Sequence, residues 1–196
     1  MNYKIAAGLL ALVIIAAYKP IDTSHPGLTG LYLTPDDFSK HKITYGSPRP
    51  DGKNKLKLNE FFGSSKGYIV YMGEKHSFDK NKIFGYQGCE NISYRFFHAA
   101  SYRILDTAGF YLYYRYEQEE HIKGKELVKK DNYFFSKNAL APIEPLTIEN
   151  LKNASPGDHR FHYLLDQQFH RDDELMAYDS YGKMYKVKYV YRLSQK

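Results

Sequence analysis

The sequence predicts an α+β fold: an antiparallel β meander, as an open sheet or a partly closed barrel, with short helices mainly in the C-terminal third. Three observations predict it. Aromatic residues make up 16% of the chain, as 20 Tyr and 12 Phe without Trp, and such side chains favour strands. From about residue 55 to residue 136 apolar and polar residues alternate, as in half-buried strands. After residue 147 the apolar period becomes that of a helix.

The first 17 residues have the pattern of a bacterial-type export signal. A short basic start precedes an apolar run from Ile5 to Ala17, which ends at Tyr18. A spanning helix needs about 20 apolar residues, which is more than this run supplies, so a signal is the favoured interpretation and a short membrane anchor is the alternative. We expect this segment to engage the membrane during export and to place the protein in the periplasm, at the cell surface or outside the cell.

The rest of the chain predicts a linker and one domain. Residues 18–29 contain two prolines and few large apolar groups, which is typical of a linker, and residues 30–196 form a single β-rich domain with a helical segment at about 147–177. Cys89 is the only cysteine, so no internal disulfide is possible. The net charge of +6 indicates at most a weak attraction for anionic partners.

Two hairpins are predicted within the meander. The first joins strands 68–72 and 76–78 through a loop at 73–75. The second joins strands 93–97 and 101–105, which repeat the tripeptide Ser-Tyr-Arg eight residues apart. We expect Phe96 to be buried in the core, and Arg95 and Arg103 to lie together on the opposite, solvated face.

Further elements follow from the same patterns. Strands at 110–117 and 132–136 continue the meander, and the charged segment 117–130 between them predicts a solvated loop, as does the Gly/Pro-rich segment 46–54. A short helix through residue 40 is predicted by the capping Thr34 and by Pro35. The C-terminal third predicts helices at 147–153, from Ser155 to about Phe169, and a short helix or turn at 173–177. Residues 183–193 favour a strand, with a helix as the open alternative.

One helix face carries the clustered metal-competent side chains of the sequence, which are His159, His162, Asp166 and His170. Histidines three residues apart on a helix can share a metal ion, and the carboxylate lies on the same stripe. A half-buried helix also presents such a polar stripe to water, and no His-Glu-x-x-His pattern supplies a general base. No catalytic residue and no cofactor are predicted.

The second hairpin also offers a basic aromatic surface. Arg95 and Arg103 are close in sequence to Tyr102 and to the tyrosines of residues 111–116, and such surfaces stack on sugars or single-stranded bases. Export argues against nucleic acid as the partner. The alternative, that the aromatic side chains form the core, is the interpretation that the alternating pattern favours.

Several motifs together resemble an uncharacterised family of small exported proteins from Bacteroidetes-type bacteria, over roughly residues 30–187. The resemblance implies an envelope or extracellular location, and it implies no activity or site residues. The motifs are GLYLTPDDF at 30–38, KLKLNEFF at 55–62, KIFGYQGC at 82–89, SYRFF at 93–97, PLTIENLK at 145–152, HRFH at 159–162 and AYD at 177–179.

These observations favour a non-enzymatic, envelope-associated binding or structural module whose partner is an envelope component or a glycan. The first alternative is a small hydrolase or metal-dependent enzyme that uses His159, His162 and Asp166. The second is a β barrel that carries a small ligand or a lipid. A concave pocket that holds the polar helix face would favour the enzyme, whereas exposure of that face would favour the module.

Overall fold

A computed structural model describes residues 28–48, 54–59, 63–88, 91–120 and 127–196. The predicted signal segment, most of the predicted linker and Cys89 lie outside the described residues. Among the helices in the described part of the chain, none is both long enough and apolar enough to cross a membrane.

Thirteen strands form three antiparallel sheets in the described part of the chain. The strands are β1 (Thr29–Tyr32), β2 (Thr44–Ser47), β3 (Lys55–Lys57), β4 (Lys66–Tyr71), β5 (Glu74–Asp79), β6 (Gly85–Gln87), β7 (Ser93–Phe97), β8 (Ala100–Asp106), β9 (Tyr111–Glu120), β10 (Leu127–Ser136), β11 (Glu144–Pro145), β12 (Tyr178–Asp179) and β13 (Met184–Tyr185). Eight of them form a large sheet with the order β11-β10-β9-β8-β7-β6-β1-β2, which is open because β11 and β2 lie at its edges. A second sheet has the order β3-β4-β5, and β12 pairs with β13.

The described part of the chain contains four α-helices, three of them in the C-terminal third. They are α1 (Pro35–Ser39), α2 (Ile148–Ala154), α3 (His159–Gln168) and α4 (Lys186–Ser194), with a 3₁₀ helix at Asp172–Met176. Thr34 and Thr147 cap α1 and α2 by accepting a backbone N–H in the first turn. Asp158, and not Ser155, caps α3 in the same way. The α+β prediction is therefore confirmed.

The prediction of a strand at 183–193 is wrong. After the two-residue β13 the chain forms α4, which buries Val187 and Val190 and leaves Tyr189 exposed. In a strand, Val187 and Tyr189 would share one face and Val190 would lie on the other. The two buried valines are instead three residues apart, which is the spacing of one face of a helix. The alternating tyrosines misled the prediction because Tyr185, Tyr189 and Tyr191 do not share one environment.

The loops are shorter than predicted. The pairing of β9 with β10 runs from Tyr111 opposite Ser136 to Glu120 opposite Leu127, so most of the charged segment 117–130 continues the hairpin. Main-chain pairing does not require apolar side chains, which is why charge misled the prediction. β2 likewise extends to Ser47, and the first hairpin turns at Met72 and Gly73, which have φ angles of 53° and 86°, rather than over three residues.

The front face of the large sheet is covered at both ends by other elements. At one end Leu31, Tyr86 and Phe96 pack against Ile69 of β4, so the three-stranded sheet covers this end. At the other end Leu112 and Phe135 pack against the C-terminal helices. The buried helical side chains of that cluster are Leu151, Phe161, Leu165, Phe169, Leu175, Val187 and Val190.

The back face carries a separate aromatic cluster. Tyr102 and Tyr113 are buried against Ile143, which belongs to the segment between β10 and β11. Phe38 of α1 packs edge-on against Tyr32, with 5.3 Å between ring centroids. The described residues therefore form three core clusters, two on the front face of the large sheet and one on its back face.

Candidate functional site

A cleft of about 600 Å³ opens on the front face, between the part covered by the three-stranded sheet and the part covered by the helices. We call it the tyrosine cleft. Its lining includes Tyr86, Tyr94, Arg103, Tyr114 and Tyr116. Pockets of this size, which combine aromatic side chains with a few polar groups, are the usual form of a ligand site.

A straight row of side chains crosses the floor of this cleft. In the register of the sheet Tyr86 lies opposite Tyr94, Tyr94 opposite Arg103, and Arg103 opposite Tyr114. Since residues opposite one another point to the same side of a sheet, the three tyrosines and the arginine face the cleft together. Neighbouring strands lie about 4.8 Å apart, so the row spans about 14 Å. We call this set the Tyr-Arg row.

The Tyr-Arg row has a rigid end and an accessible end. The rings of Tyr86 and Tyr94 are stacked, with centroids 4.6 Å apart and planes 5° apart. Tyr86 is buried, whereas Tyr94 and Tyr114 are half-buried and Arg103 is exposed. Tyr116 beside the row is 43% exposed. The stack thus fixes Tyr94, and the exposed Arg103 and Tyr116 are accessible to a ligand.

The tyrosine cleft is basic where the structure describes it. Its described lining contains Arg103, Arg115 and His98 and no acidic residue. Arg115 donates to the Tyr102 hydroxyl at 3.3 Å and lies over that ring, with 5.2 Å between the guanidinium carbon and the ring centroid. Arg103 therefore supplies the accessible positive charge at the floor of the cleft.

The prediction that Arg95 is solvated is wrong. Arg95 is only 5% exposed and lies on the back face, opposite Tyr102, whereas Arg103 lies on the front face, opposite Tyr94. The turn between β7 and β8 has only two residues, His98 and Ala99, both with positive φ angles. This turn sets an odd-numbered residue of one strand opposite an even-numbered residue of the other. The two arginines, both odd-numbered, therefore point to opposite faces.

Arg95 is the centre of a buried hydrogen-bond network. Its Nη1 donates to the Tyr113 hydroxyl at 3.0 Å and to Ser136 Oγ at 3.1 Å, and its Nη2 donates to the Ala141 carbonyl oxygen at 2.8 Å. Ser136 donates in turn to the Asn138 carbonyl oxygen. Burial raises the pKa of the Tyr113 hydroxyl, and the positive charge of Arg95 opposes that rise. All of these partners are uncharged oxygens.

The polar face of α3 carries His159 and Asp166, but the helix ends at Gln168, so His170 lies beyond it and does not share that face as the sequence predicted. His159, Asp166 and His170 are exposed, and Asp166 forms an ion pair with Lys152. His162 Nε2 lies 3.1 Å from the Lys152 carbonyl oxygen and 2.8 Å from the Ser155 carbonyl oxygen, at the end of α2. Among the described residues no group of three or more His, Cys, Asp or Glu side chains is arranged to hold a metal ion.

Comparisons with known proteins gave no match: no family model, no curated protein and no solved structure matches this chain. The resemblance to exported Bacteroidetes-type proteins therefore stays a prediction.

Lys188, which is buried like Arg95 and Lys80, was not expected from the sequence to be buried. Its Nζ donates to the Ala108 carbonyl oxygen at 3.0 Å and to the Phe110 carbonyl oxygen, and it lies 3.4 Å from the Asp106 carboxylate. Burial lowers the pKa of Lys188 to about 8, and Asp106 opposes that shift. These contacts tie α4 to the turn between β8 and β9, so the role of Lys188 is structural.

Proposed function

We propose that this protein is an exported, envelope-associated, non-enzymatic binding module whose tyrosine cleft binds a linear acidic glycan. The observation that carries the proposal is the Tyr-Arg row on the floor of that cleft. Export, which the N-terminal sequence predicts, would bring the domain next to envelope polysaccharides.

The chemistry of the row suits sugar rings. Aromatic rings pack against the flat apolar faces of sugars, and tyrosine adds a hydroxyl that hydrogen-bonds at the edge. Repeated aromatic platforms along a groove bind a linear polymer one unit after another, as they do for single-stranded nucleic acid. A row of about 14 Å is long enough for a few sugar units rather than one.

Arg103 makes the proposed ligand acidic. It is exposed within the row, between Tyr94 and Tyr114, and the described lining of the cleft contains no carboxylate to neutralise it. A guanidinium group binds a carboxylate through two parallel hydrogen bonds, which a neutral hydroxyl cannot match. A uronic acid unit over Arg103 therefore explains the mixture of rings and charge.

The environment of the α3 face also supports a module over a metal-dependent enzyme. His159, Asp166 and His170 face solvent, and the described lining of the tyrosine cleft contains none of them. His162 is engaged with two main-chain carbonyl oxygens. These groups have roles in solvation and in helix capping without a metal.

Titration calorimetry with an oligogalacturonate hexasaccharide tests the proposal. We expect binding that weakens about tenfold in Arg103→Ala, since one charge-assisted interaction is lost, and comparably in Tyr116→Ala, which removes a stacking ring. A neutral cello-oligosaccharide of the same length should bind more weakly than the uronate. Fractionation of tagged protein should find it outside the cytoplasm.

Matched controls exist on the same chain. Tyr181 is 99% exposed, Arg160 is exposed on α3, and neither belongs to the described lining of the cleft, so Tyr181→Ala and Arg160→Ala should leave the affinity unchanged. The proposal fails if the controls weaken binding as much as the cleft variants do, or if no acidic glycan binds.

A further inference from the structure

A second cleft, of about 620 Å³, opens on the back face of the large sheet. We call it the Arg95 cleft, because Arg95 contributes to its lining. The lining also includes Lys82, His98, Leu33 and Leu140. This cleft is separate from the Tyr-Arg row, which lies on the opposite face of the same strands.

Arg95 has no negatively charged partner within the described residues. Its three hydrogen bonds go to two hydroxyl groups and one carbonyl oxygen. Its guanidinium also lies near the rings of Phe84 and Phe97, 5.9 Å and 5.8 Å from their centroids. Arginine stays protonated in proteins, so a full positive charge lies 95% buried beside an open cleft.

Such an arrangement is costly for a fold. A buried charge is normally paired, because neutral partners only partly replace the water that it loses. The buried Lys188 shows the usual solution, since the Asp106 carboxylate lies 3.4 Å from its Nζ. Arg95 lacks that solution, and the cleft is where a counter-charge has room to bind.

The guanidinium also keeps donors available. The hydrogen bonds to Tyr113, Ser136 and Ala141 use both Nη1 hydrogens and one Nη2 hydrogen, and they leave Nε–H and one Nη2–H without a partner among the described residues. Guanidinium donors suit two oxygens of one carboxylate or phosphate group.

The mouth of the Arg95 cleft adds a second charge and an apolar surface. Lys82 is exposed at its wall, and none of the described lining residues is acidic. Leu33 and Leu140 are 40% and 80% exposed, which is high for leucine side chains at a cleft. A ligand that fits both parts has an acidic head and an apolar tail.

We infer that the Arg95 cleft binds an amphiphilic oxyanion, with its carboxylate or phosphate group on Arg95 and Lys82 and its apolar part against Leu33 and Leu140. The ligand is either a free amphiphile or a lipid of a membrane surface, since both present this chemistry. This site is independent of the glycan site proposed above.

Calorimetry on the purified full-length chain tests the inference with octyl phosphate and octanoate as probes. We expect at least one of the two to bind. Octyl glucoside, which has the same tail and no charge, should bind with an affinity at least about tenfold lower. Inorganic phosphate alone should bind more weakly than octyl phosphate. Co-sedimentation with phosphatidylglycerol vesicles indicates a membrane lipid as the source, and octyl phosphate binding without co-sedimentation indicates a free amphiphile.

Variants separate the site from the fold. Arg95→Gln should weaken octyl phosphate binding about tenfold or more. Because Arg95 is buried and this variant can misfold, the exposed Lys82→Gln provides a second test and should weaken binding severalfold. Lys186→Gln, at the exposed start of α4, is the matched control and should have no effect, as should Tyr116→Ala in the tyrosine cleft. Equal affinity for octyl glucoside, or an unchanged affinity in a folded Lys82→Gln, overturns the inference.

Discussion

The two arginines of the repeated Ser-Tyr-Arg tripeptide have opposite environments on the two faces of one sheet. Arg103 is exposed on the front face among tyrosines, and Arg95 is 5% exposed on the back face among rings and hydroxyl groups. The local sequences are nearly the same, so the difference comes from the two-residue turn that joins the strands. Identical motifs in a hairpin thus take different roles when the register sets them on different faces.

The largest expected effect concerns Phe96, which lies next to Arg95 in the same strand and belongs to the front-face core. Phe96 is 5% exposed and packs with Leu31, Tyr86 and Ile69, so Phe96→Ala should lower the free energy of unfolding by about 3 to 5 kcal/mol. Urea unfolding followed by circular dichroism measures this. Tyr181→Ala, which changes a fully exposed ring, serves as the control. A loss below about 1 kcal/mol would mean that the three-stranded sheet does not cover this face tightly.

The comparison itself is tested by the paired variants Arg95→Ala and Arg103→Ala. Arg95→Ala removes three hydrogen bonds and leaves buried acceptors, so we expect the free energy of unfolding to fall by about 2 to 3 kcal/mol. Arg103→Ala should change it by no more than about 0.5 kcal/mol, since its side chain is solvated. Equal effects in the same urea series would contradict the assignment of the two faces.

A smaller, pH-dependent effect concerns the buried Lys188. Burial lowers the pKa of Lys188 from 10.5 to about 8, so above pH 8 the unfolded chain binds a proton that the folded chain releases. Raising the pH in this window therefore stabilises the fold. Because of Lys188, the free energy of unfolding should increase by about 2 kcal/mol between about pH 8 and about pH 9.5.

Lys188→Met provides the check, since it replaces the ammonium group with an apolar side chain of similar length and should remove the rise of the free energy of unfolding with pH. The free energy of unfolding must be measured below about pH 10, because burial raises the pKa of Tyr113 and ionisation of the unfolded tyrosines then opposes folding. A flat profile in the original chain would show that Lys188 is less buried than described.

Much of the fold could be predicted because its local signals are strong. Thr34 with Pro35 and Thr147 fix helix starts, and alternation fixes the strands around Phe96 and Leu112. The strand prediction at 183–193 failed because Tyr, Val and Lys fit either period over so short a segment, and burial of Val187 and Val190 against α3 decided for the helix.

The candidate sites could be predicted only in part. Arg103, Tyr114 and Tyr116 belong to the basic aromatic surface expected from the sequence, but Tyr86 joins them only through the pairing of β6 with β7. The burial of Arg95 depends on the turn length, and the pair His98-Ala99 is none of the Asn-Gly, Asp-Gly or Gly-Gly pairs that signal a two-residue turn. The two-residue turn therefore had no clear sequence signal, and the face of Arg95 could not be assigned without it.

The short edges of the large sheet bear on how crowded copies of this protein behave. β2 has four residues with an irregular register against β1, and β11 has two residues, one of them Pro145, which lacks an amide hydrogen. Long flat edges recruit strands from other molecules and start fibrils, whereas short, irregular or proline-containing edges offer few free hydrogen-bonding groups. β2 and β11 themselves therefore offer little for a strand of another copy to pair with, even though the interior strands of the sheet have the composition that amyloid-like fibrils favour.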